Sequence, residues 1–215
     1  MGDRQAKNAL FDGFADVAKA LGNGRRVELV DVLAQGERHV EELAIEIGQS
    51  VANTSHHLQV LAAAGLVATR RDGNRIYYQL ASDEVEQLWS VLRSVAQTHV
   101  GDLDALAADY LGNRSRLEEI SRDELARRLD DGTLIVIDVR PETEYAAGHI
   151  RGARSVPIDQ LSEIVGGLPA DIEVVAYCRG PYCVFADDAV RLLRRRRRIA
   201  RRLQDGFPEW RSAQH

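Results

Sequence analysis

The residues best suited to covalent chemistry are Cys178 and Cys183, the only cysteines in the chain, with Arg179-Gly180-Pro181-Tyr182 between them. An apolar run, Val174-Val175-Ala176-Tyr177, leads into Cys178. Phe185, Ala189, Val190 and Leu193 follow at helical spacing. The pattern predicts a buried strand ending at Cys178, a short loop holding Gly and Pro, and a helix beginning near Cys183. Backbone N–H groups of such a loop and helix N-terminus carry partial positive charge. They are expected to point at the sulfur, lower its pKa and stabilise an anion such as a persulfide, with Arg179 adding a formal charge. Moving sulfur needs both parts: a thiolate that attacks and a cradle that holds the resulting anion. Cys183 has two readings of about equal weight. One is a small residue in the first helical turn. The other is a resolving thiol that attacks a persulfide on Cys178, giving a disulfide or polysulfide link.

This loop resembles the active-site loop of rhodanese (sulfurtransferase) domains. A second set of residues carries the same resemblance. Ile137-Asp138-Val139-Arg140, Glu144-Tyr145, Gly148-His149-Ile150, Gly152-Ala153 and Val156-Pro157 follow the rhodanese pattern in order. Asp205-Gly206-Phe207 with Glu209-Trp210 fits its ending. The resemblance covers about residues 117 to 212. It implies Cys178 as the nucleophile that accepts a sulfane sulfur from a small donor such as thiosulfate or a persulfide, and residues 179 to 183 as the cradle. Phosphatases and arsenate reductases on this fold carry an arginine six positions after the cysteine. Here that position is Val184, so neither activity is expected. Asp138, Arg140, Glu144 and His149 read as braces of the fold, and Trp210 as packing.

A second constellation lies in the first hundred residues. Leu10, Phe14, Val17 and Leu21 fall on one helical face, and Gly22-Asn23-Gly24 stops that helix. Val27, Leu29, Val30 and Leu33 predict a second helix, and residues 40–47 a third. Ser50 is the expected N-cap of a fourth, with Thr54, Leu58 and Leu61 buried. Residues 66–70 and 75–80 read as two strands, with Arg71-Asp72-Gly73-Asn74 as the hairpin turn. After Ser82 a long helix is expected to run to about Tyr110, broken at Gly101. Two helices, a helix-turn-helix and a β-hairpin describe a winged helix-turn-helix. The fourth helix would enter the major groove. Its outward face shows Asn53, His56 and Gln59 with Ser55 beside them, while Arg70, Arg71 and Arg75 would meet phosphates from the hairpin. The blander reading, a winged helix used only for protein contacts, is disfavoured by that polar face and basic wing.

The stretch Ser55-His56-His57-Leu58-Gln59-Val60-Leu61, followed by Ala64-Gly65-Leu66-Val67, Arg71-Asp72-Gly73-Asn74 and Tyr77-Tyr78, resembles the ArsR/SmtB family of bacterial repressors. The resemblance covers about residues 8 to 100. It implies a homodimer formed through the first and last helices and a two-fold symmetric double-stranded DNA operator. The aligned contact positions are Asn53, Ser55 and His56. Many such relatives sense metals through cysteines on the third helix, which here reads Glu41-Glu42-Leu43-Ala44-Ile45-Glu46. The C-terminal helix offers His99, Asp102 and Asp104 with no second histidine near them. No metal and no cofactor is therefore expected.

These elements must be held by two domains, because the sequence grammar changes between residues 111 and 116, a short polar stretch after the helix-stopping Gly112. The reading is an α+β winged helix-turn-helix over residues 1–112, then an α/β rhodanese-like domain with a parallel sheet over 117–215. Ser121 and Glu124 form a capping box, and residues 134–137 and 173–177 read as buried parallel strands. The whole chain has 215 residues, is 45% hydrophobic and 28% charged, and carries a net charge of -5. That balance excludes wholesale disorder and a uniformly basic chain, and two cysteines exclude a disulfide scaffold. No apolar run approaches the roughly 20 residues of a membrane helix, and the polar start of the chain lacks a signal-like stretch, so a cytoplasmic protein is expected. The five arginines at 194–198 read as a solvated face. Together the halves predict a regulator that couples reactive sulfur to operator binding. The alternative is a working sulfurtransferase whose winged helix only autoregulates or dimerises. A third option is metalloregulation through noncysteine ligands.

Overall fold

Residues 3–114, 117–129 and 131–213 are described in the computed structural model. Ser115 and Arg116 of the polar stretch, and the outermost residues of both expected domains, lie outside them. Contacts divide the chain into two units, one ending at Ala96 and the other starting at Gln97.

In the first unit, α1 (Arg4–Leu21) is capped by Asp3 and α2 (Gly24–Leu33) by Asn23, whose side chain accepts from the N–H groups of Arg25 and Arg26. The short β1 (Arg38–His39) precedes α3 (Val40–Glu46). Ser50 accepts from Asn53 N–H and starts α4 (Val51–Ala63), which buries Thr54, Leu58 and Leu61 as the spacing requires. Gly65 ends the turn after it at a φ of 73°, a conformation that costs a residue with a Cβ. The hairpin β2 (Val67–Asp72) and β3 (Arg75–Leu80) pairs antiparallel, with β1 added to β3. Asp72 pairs with Arg75, so the loop is the two residues Gly73-Asn74; the first strand ends two residues later than the sequence suggests, and the second matches it. Gly73 takes the positive φ, 57°, instead of an Asp-Gly pair sharing the turn. α5 (Asp83–His99) closes this unit and ends in the next, where α6 (Leu103–Leu111) follows after the expected break at Gly101. The core of this unit gathers Leu29, Val30, Leu33, Leu43, Ile47, Leu58, Leu61, Leu66 and Tyr78.

The second unit is built on a five-stranded parallel sheet. Its strands are β4 (Glu119–Ile120), β5 (Leu134–Asp138), β6 (Arg154–Ser155), β7 (Glu173–Tyr177) and β8 (Ala200–Leu203), in the order β4-β8-β7-β5-β6. Alternate residues of the central strands feed two cores. Ile135, Ile137, Val174 and Ala176 pack on one face with Ala189, Val190 and Leu193. Leu134, Val136, Val175 and Tyr177 pack on the other with Leu125 and Phe207. Covering both faces is what makes these strands continuous apolar runs. The helices are α7 (Arg122–Arg128), capped by Ser121, α8 (Glu142–Ala147), α9 (Leu161–Ile164), α10 (Phe185–Arg195) and α11 (Phe207–Ser212).

Strand β8 escaped the sequence reading because it reads Ala-Arg-Arg-Leu. Its arginines are held by carboxylates: Arg201 by Glu173 and Glu124, and Arg202 by Glu119 and Asp187. Among the described residues no helix is long and apolar enough to cross a membrane.

Candidate functional site

Cys178 stands one residue beyond β7, at the C-terminal edge of the parallel sheet, where such folds place their sites. Three sets of bonds fix it. Val139 N–H donates to the Tyr177 carbonyl (3.1 Å). Phe207 N–H donates to the Cys178 carbonyl (3.1 Å). Beneath it, the Tyr177 hydroxyl donates to Asp138 (2.6 Å) and accepts from Ile150 N–H (3.1 Å). Asp138 also takes Arg140 through Nε and Nη2 (2.9 and 2.6 Å), and Arg140 spans on to the Gly148 carbonyl. Burial, then the charge of Asp138, pushes the Tyr177 hydroxyl well up, so it stays a proton donor. Asp138, Arg140 and Glu144 are fully buried.

The loop after Cys178 differs from the expectation in one respect that matters. Cys178 is only 2% exposed. Its Sγ lies 3.7 Å from the Cys183 carbonyl oxygen and 3.9 Å from that of Gly180, both placed to accept from the thiol. Burial, reinforced by the neighbouring Cys183 thiol, pushes the Cys178 thiol up; the N–H groups of Ala186 and Gly180 oppose this and lose. The expected lowering of the Cys178 pKa is therefore corrected: in this state the loop shelters a neutral thiol. Cys183 moves the other way. The Cys178 thiol donating to it, the N–H groups of Arg179 and Phe185, and the Arg179 charge together hold it below the usual thiol range. Both cysteines are free thiols.

Arg179 is not loose beside the sulfur. Its guanidinium is held bidentately by Glu144, at 2.9 Å through Nε and 2.6 Å through Nη2, and lies over the Phe185 ring. Gly180 is buried, and Pro181 and Tyr182 are half-buried. The N–H of Cys183 donates to the Gly180 carbonyl (3.1 Å), which closes the loop as a tight turn. Helix α10 starts at Phe185, two residues later than expected.

Two residues that position this loop were missed from sequence. Arg114 donates to the carbonyls of Pro181 (2.7 Å) and Cys183 (3.2 Å) and pairs with the buried Asp187 of α10. Its place in a polar connector gave no signal. Gly206 lies flat against the loop: a Cβ there would come within 2.3 Å of the Arg179 carbonyl carbon and the Gly180 nitrogen. The run Asp205-Gly206-Phe207 was part of the resemblance, but its physical role needed the fold. A groove of about 250 Å³ opens beside Phe185, lined also by Val139, Pro141, Pro157 and Ile158.

In the first unit, Asn53, His56 and Gln59 are exposed on α4, and Ser55 is half-buried. They share the face opposite Thr54, Leu58 and Leu61. His57 is half-buried with its Nδ1 sealed and unpartnered, and burial, then Arg26, pulls its pKa down. On the hairpin Arg70, Arg71 and Arg75 are all exposed. Arg70 is engaged by Glu37 through two bonds of 2.8 Å and stacks over Tyr77. The Nε of Arg71 donates to the Gly73 carbonyl (3.1 Å). Among the described residues no group of three or more His, Cys, Asp or Glu side chains could hold a metal ion.

A helix-turn-helix with a wing, followed by a parallel sheet with a cysteine loop at its edge, defines a two-part regulator. Residues 23–69 match the arsR family of bacterial regulatory proteins, and residues 121–213 match the rhodanese-like domain. The chain belongs to the arsR family of transcriptional regulators and carries a C-terminal rhodanese-like domain. It is 46% identical over 212 residues to the HTH-type transcriptional regulator Rv0324 of Mycobacterium tuberculosis, covering 99% of this chain and 93% of that one. It is 35% identical over 101 residues to the nodulation protein NolR of Rhizobium meliloti, covering 47% of this chain and 80% of that one. Among solved structures, it resembles the homodimeric winged helix-turn-helix DNA-binding domain of a possible ArsR-family regulator from Mycobacterium bovis. The identity there is 45%, the TM-score 0.43, and the match covers 46% of this chain and 90% of that one.

Proposed function

We propose that this regulator reports reactive sulfur: Cys178 accepts a sulfane sulfur as a persulfide, and operator affinity changes with that load. One observation carries the reading. Both cysteines of the chain lie in one loop at the edge of the rhodanese-like sheet, leaving no thiol in the winged helix to act as a sensor. With thiosulfate the step balances as follows. Cys178 gives its proton to solvent, and the thiolate attacks the sulfane sulfur. The S–S bond of thiosulfate then breaks, and sulfite leaves with the electron pair. Residues 179 to 183 hold the product anion.

DNA is met by Asn53, Ser55, His56 and Gln59 of α4, with Arg71 and Arg75 on phosphates and Arg70 joining once it leaves Glu37. The protein acts as a cytoplasmic homodimer. The apolar face shared by α1 and α5 supports this, because Phe11 and Phe14 are 58% and 63% exposed. We place the functional boundary between the DNA-reading and sulfur-accepting parts in the 113–116 segment.

The test is a gel shift on the operator with reduced and persulfide-treated protein, wild type against Cys178→Ser. A load-dependent change in wild type that the variant lacks is expected. Unchanged binding by loaded wild type defeats the sensing role. A second reading, a working sulfurtransferase with an autoregulatory winged helix, is favoured by the groove beside Phe185, which offers an acceptor thiol room next to the loop. In that case Cys178→Ser abolishes turnover and leaves regulated DNA release intact.

A further inference from the structure

We infer that Arg114 is a positioning residue that ties the sulfur state of Cys178 to the backbone at residues 112–114; the inference rests on the sulfur-accepting role proposed for Cys178. Three contacts place it. Nη1 donates to the Pro181 carbonyl at 2.7 Å, Nη2 donates to the Cys183 carbonyl at 3.2 Å, and Nε pairs with Asp187. Asp187 is fully buried in the first turn of α10 and is shared with Arg202. The adjoining connector residue is held as well, since the Asn113 carbonyl accepts from Arg191 of the same helix (3.3 Å). Asn113 and Arg114 are thus fastened to the cysteine loop and to the helix that follows it.

The decisive atom is the Cys183 carbonyl oxygen. It faces the Cys178 sulfur at 3.7 Å and Arg114 Nη2 at 3.2 Å. In the reduced state Arg114 Nη2 donates to this carbonyl, and the single Cys178 proton can turn to it, to the Gly180 carbonyl or to the Cys183 thiol, so nothing repels the sulfur. Loading replaces the S–H with a persulfide, which adds a sulfur atom and a negative charge and has no proton to give. The carbonyl dipoles of Cys183 and Gly180 then point their negative ends at an anion in a pocket that excludes water, where repulsion is poorly screened. These peptide groups must turn away. The Cys183 group cannot turn without changing its bond to Arg114, and Arg114 cannot shift without disturbing the backbone at residues 112–114. A fork-shaped guanidinium suits this role: two parallel N–H bonds read the orientation of two carbonyls, which a single ammonium cannot do.

The test is hydrogen exchange on the full chain, reduced and after treatment with glutathione persulfide, following peptides that cover residues 108–118. Intact mass reports whether one sulfur has been added. Loaded wild type is expected to exchange several-fold faster in this segment than reduced wild type. Arg114→Met is expected to exchange fast in both states and to lose the response. Arg114→Lys, which keeps the cation and one contact, is expected to restore part of it; a merely space-filling role gives no such rescue. Loaded wild type with unchanged exchange overturns the inference while leaving the sulfur-accepting role standing, and so does an Arg114→Met protein that responds like wild type. Wild type that takes up no sulfur overturns that role and the inference with it, and the mass separates the two results. The wild-type comparison stands even where Arg114→Met fails to fold.

Discussion

The two thiols of the loop meet different surroundings within six residues of chain. Cys178 is sealed and raised, while Cys183 is half-buried and lowered. A thiolate alkylates and a thiol does not, so the lower pKa reacts first as pH rises. With iodoacetamide followed by peptide mass spectrometry, Cys183 is expected to label at lower pH than Cys178. Equal rates at the two sites contradict this ordering. Sequence made the pair legible but not its asymmetry, because burial of the sulfur depends on which way two carbonyls face. At Arg179 the partner was hidden for a similar reason: Glu144 lies 35 residues away in sequence. Glu144→Ala strands a half-buried guanidinium, and breaking such a pair costs about 3 kcal/mol. Chemical denaturation is expected to show a loss of that order, with Glu144→Gln keeping part of it through a neutral acceptor.

Among elements, the turn between β8 and α11 limits the loop most tightly. Gly206 meets the backbone of Arg179 and Gly180 with no room for a methyl group, and the contact is with main chain that cannot rotate away. Gly206→Ala should therefore push the loop off its present course. Sulfur uptake is expected to fall by about tenfold or more, with a stability loss of about 1–3 kcal/mol typical of overpacking. Uptake at the wild-type rate would show that the loop tolerates the displacement. The longer helices and the strands at 134–138 and 173–177 were legible because their periodicity is set by burial on one face or two, while the short α8, α9 and α11 left no such pattern. The edge pieces β1, β4 and β6 were too short to leave a pattern, with two residues each. Strand β8 was masked by arginines that only ion pairing lets the sheet accept. The hairpin was legible in kind, and its loop residues shifted by the register that places Asp72 opposite Arg75.

For the molecule as a whole, a net charge of -5 said little about DNA, because phosphate contact depends on where cations sit. Among the described residues, a sizeable exposed face is apolar. Phe11, Phe14, Val91, Leu92 and Val95 are exposed on α1 and α5, and a cleft of about 370 Å³ runs between these helices, lined by Phe14, Val17, Leu21, Leu88 and Leu92. A patch of this kind on a free surface is an association site. Phe14→Glu combined with Leu92→Glu is expected to convert the proposed dimer to a monomer in sedimentation. Operator affinity should drop with it, since a two-fold site is read by two recognition helices. A double variant that remains dimeric moves the interface elsewhere.

The carbonyl seal over Cys178 also has a consequence for dose. A donor molecule can react only with the fraction of protein whose loop is open and whose thiol is ionised. Apparent reactivity is scaled down by that fraction. A loop open ~1% of the time would demand roughly a hundredfold more donor for the same response than one held open. On the proposed sensing role, the tightness of the carbonyl seal over the single Cys178 proton would set the donor concentration at which the response begins. Variants that loosen the loop without removing Cys178 should lower that threshold and make the switch trip early.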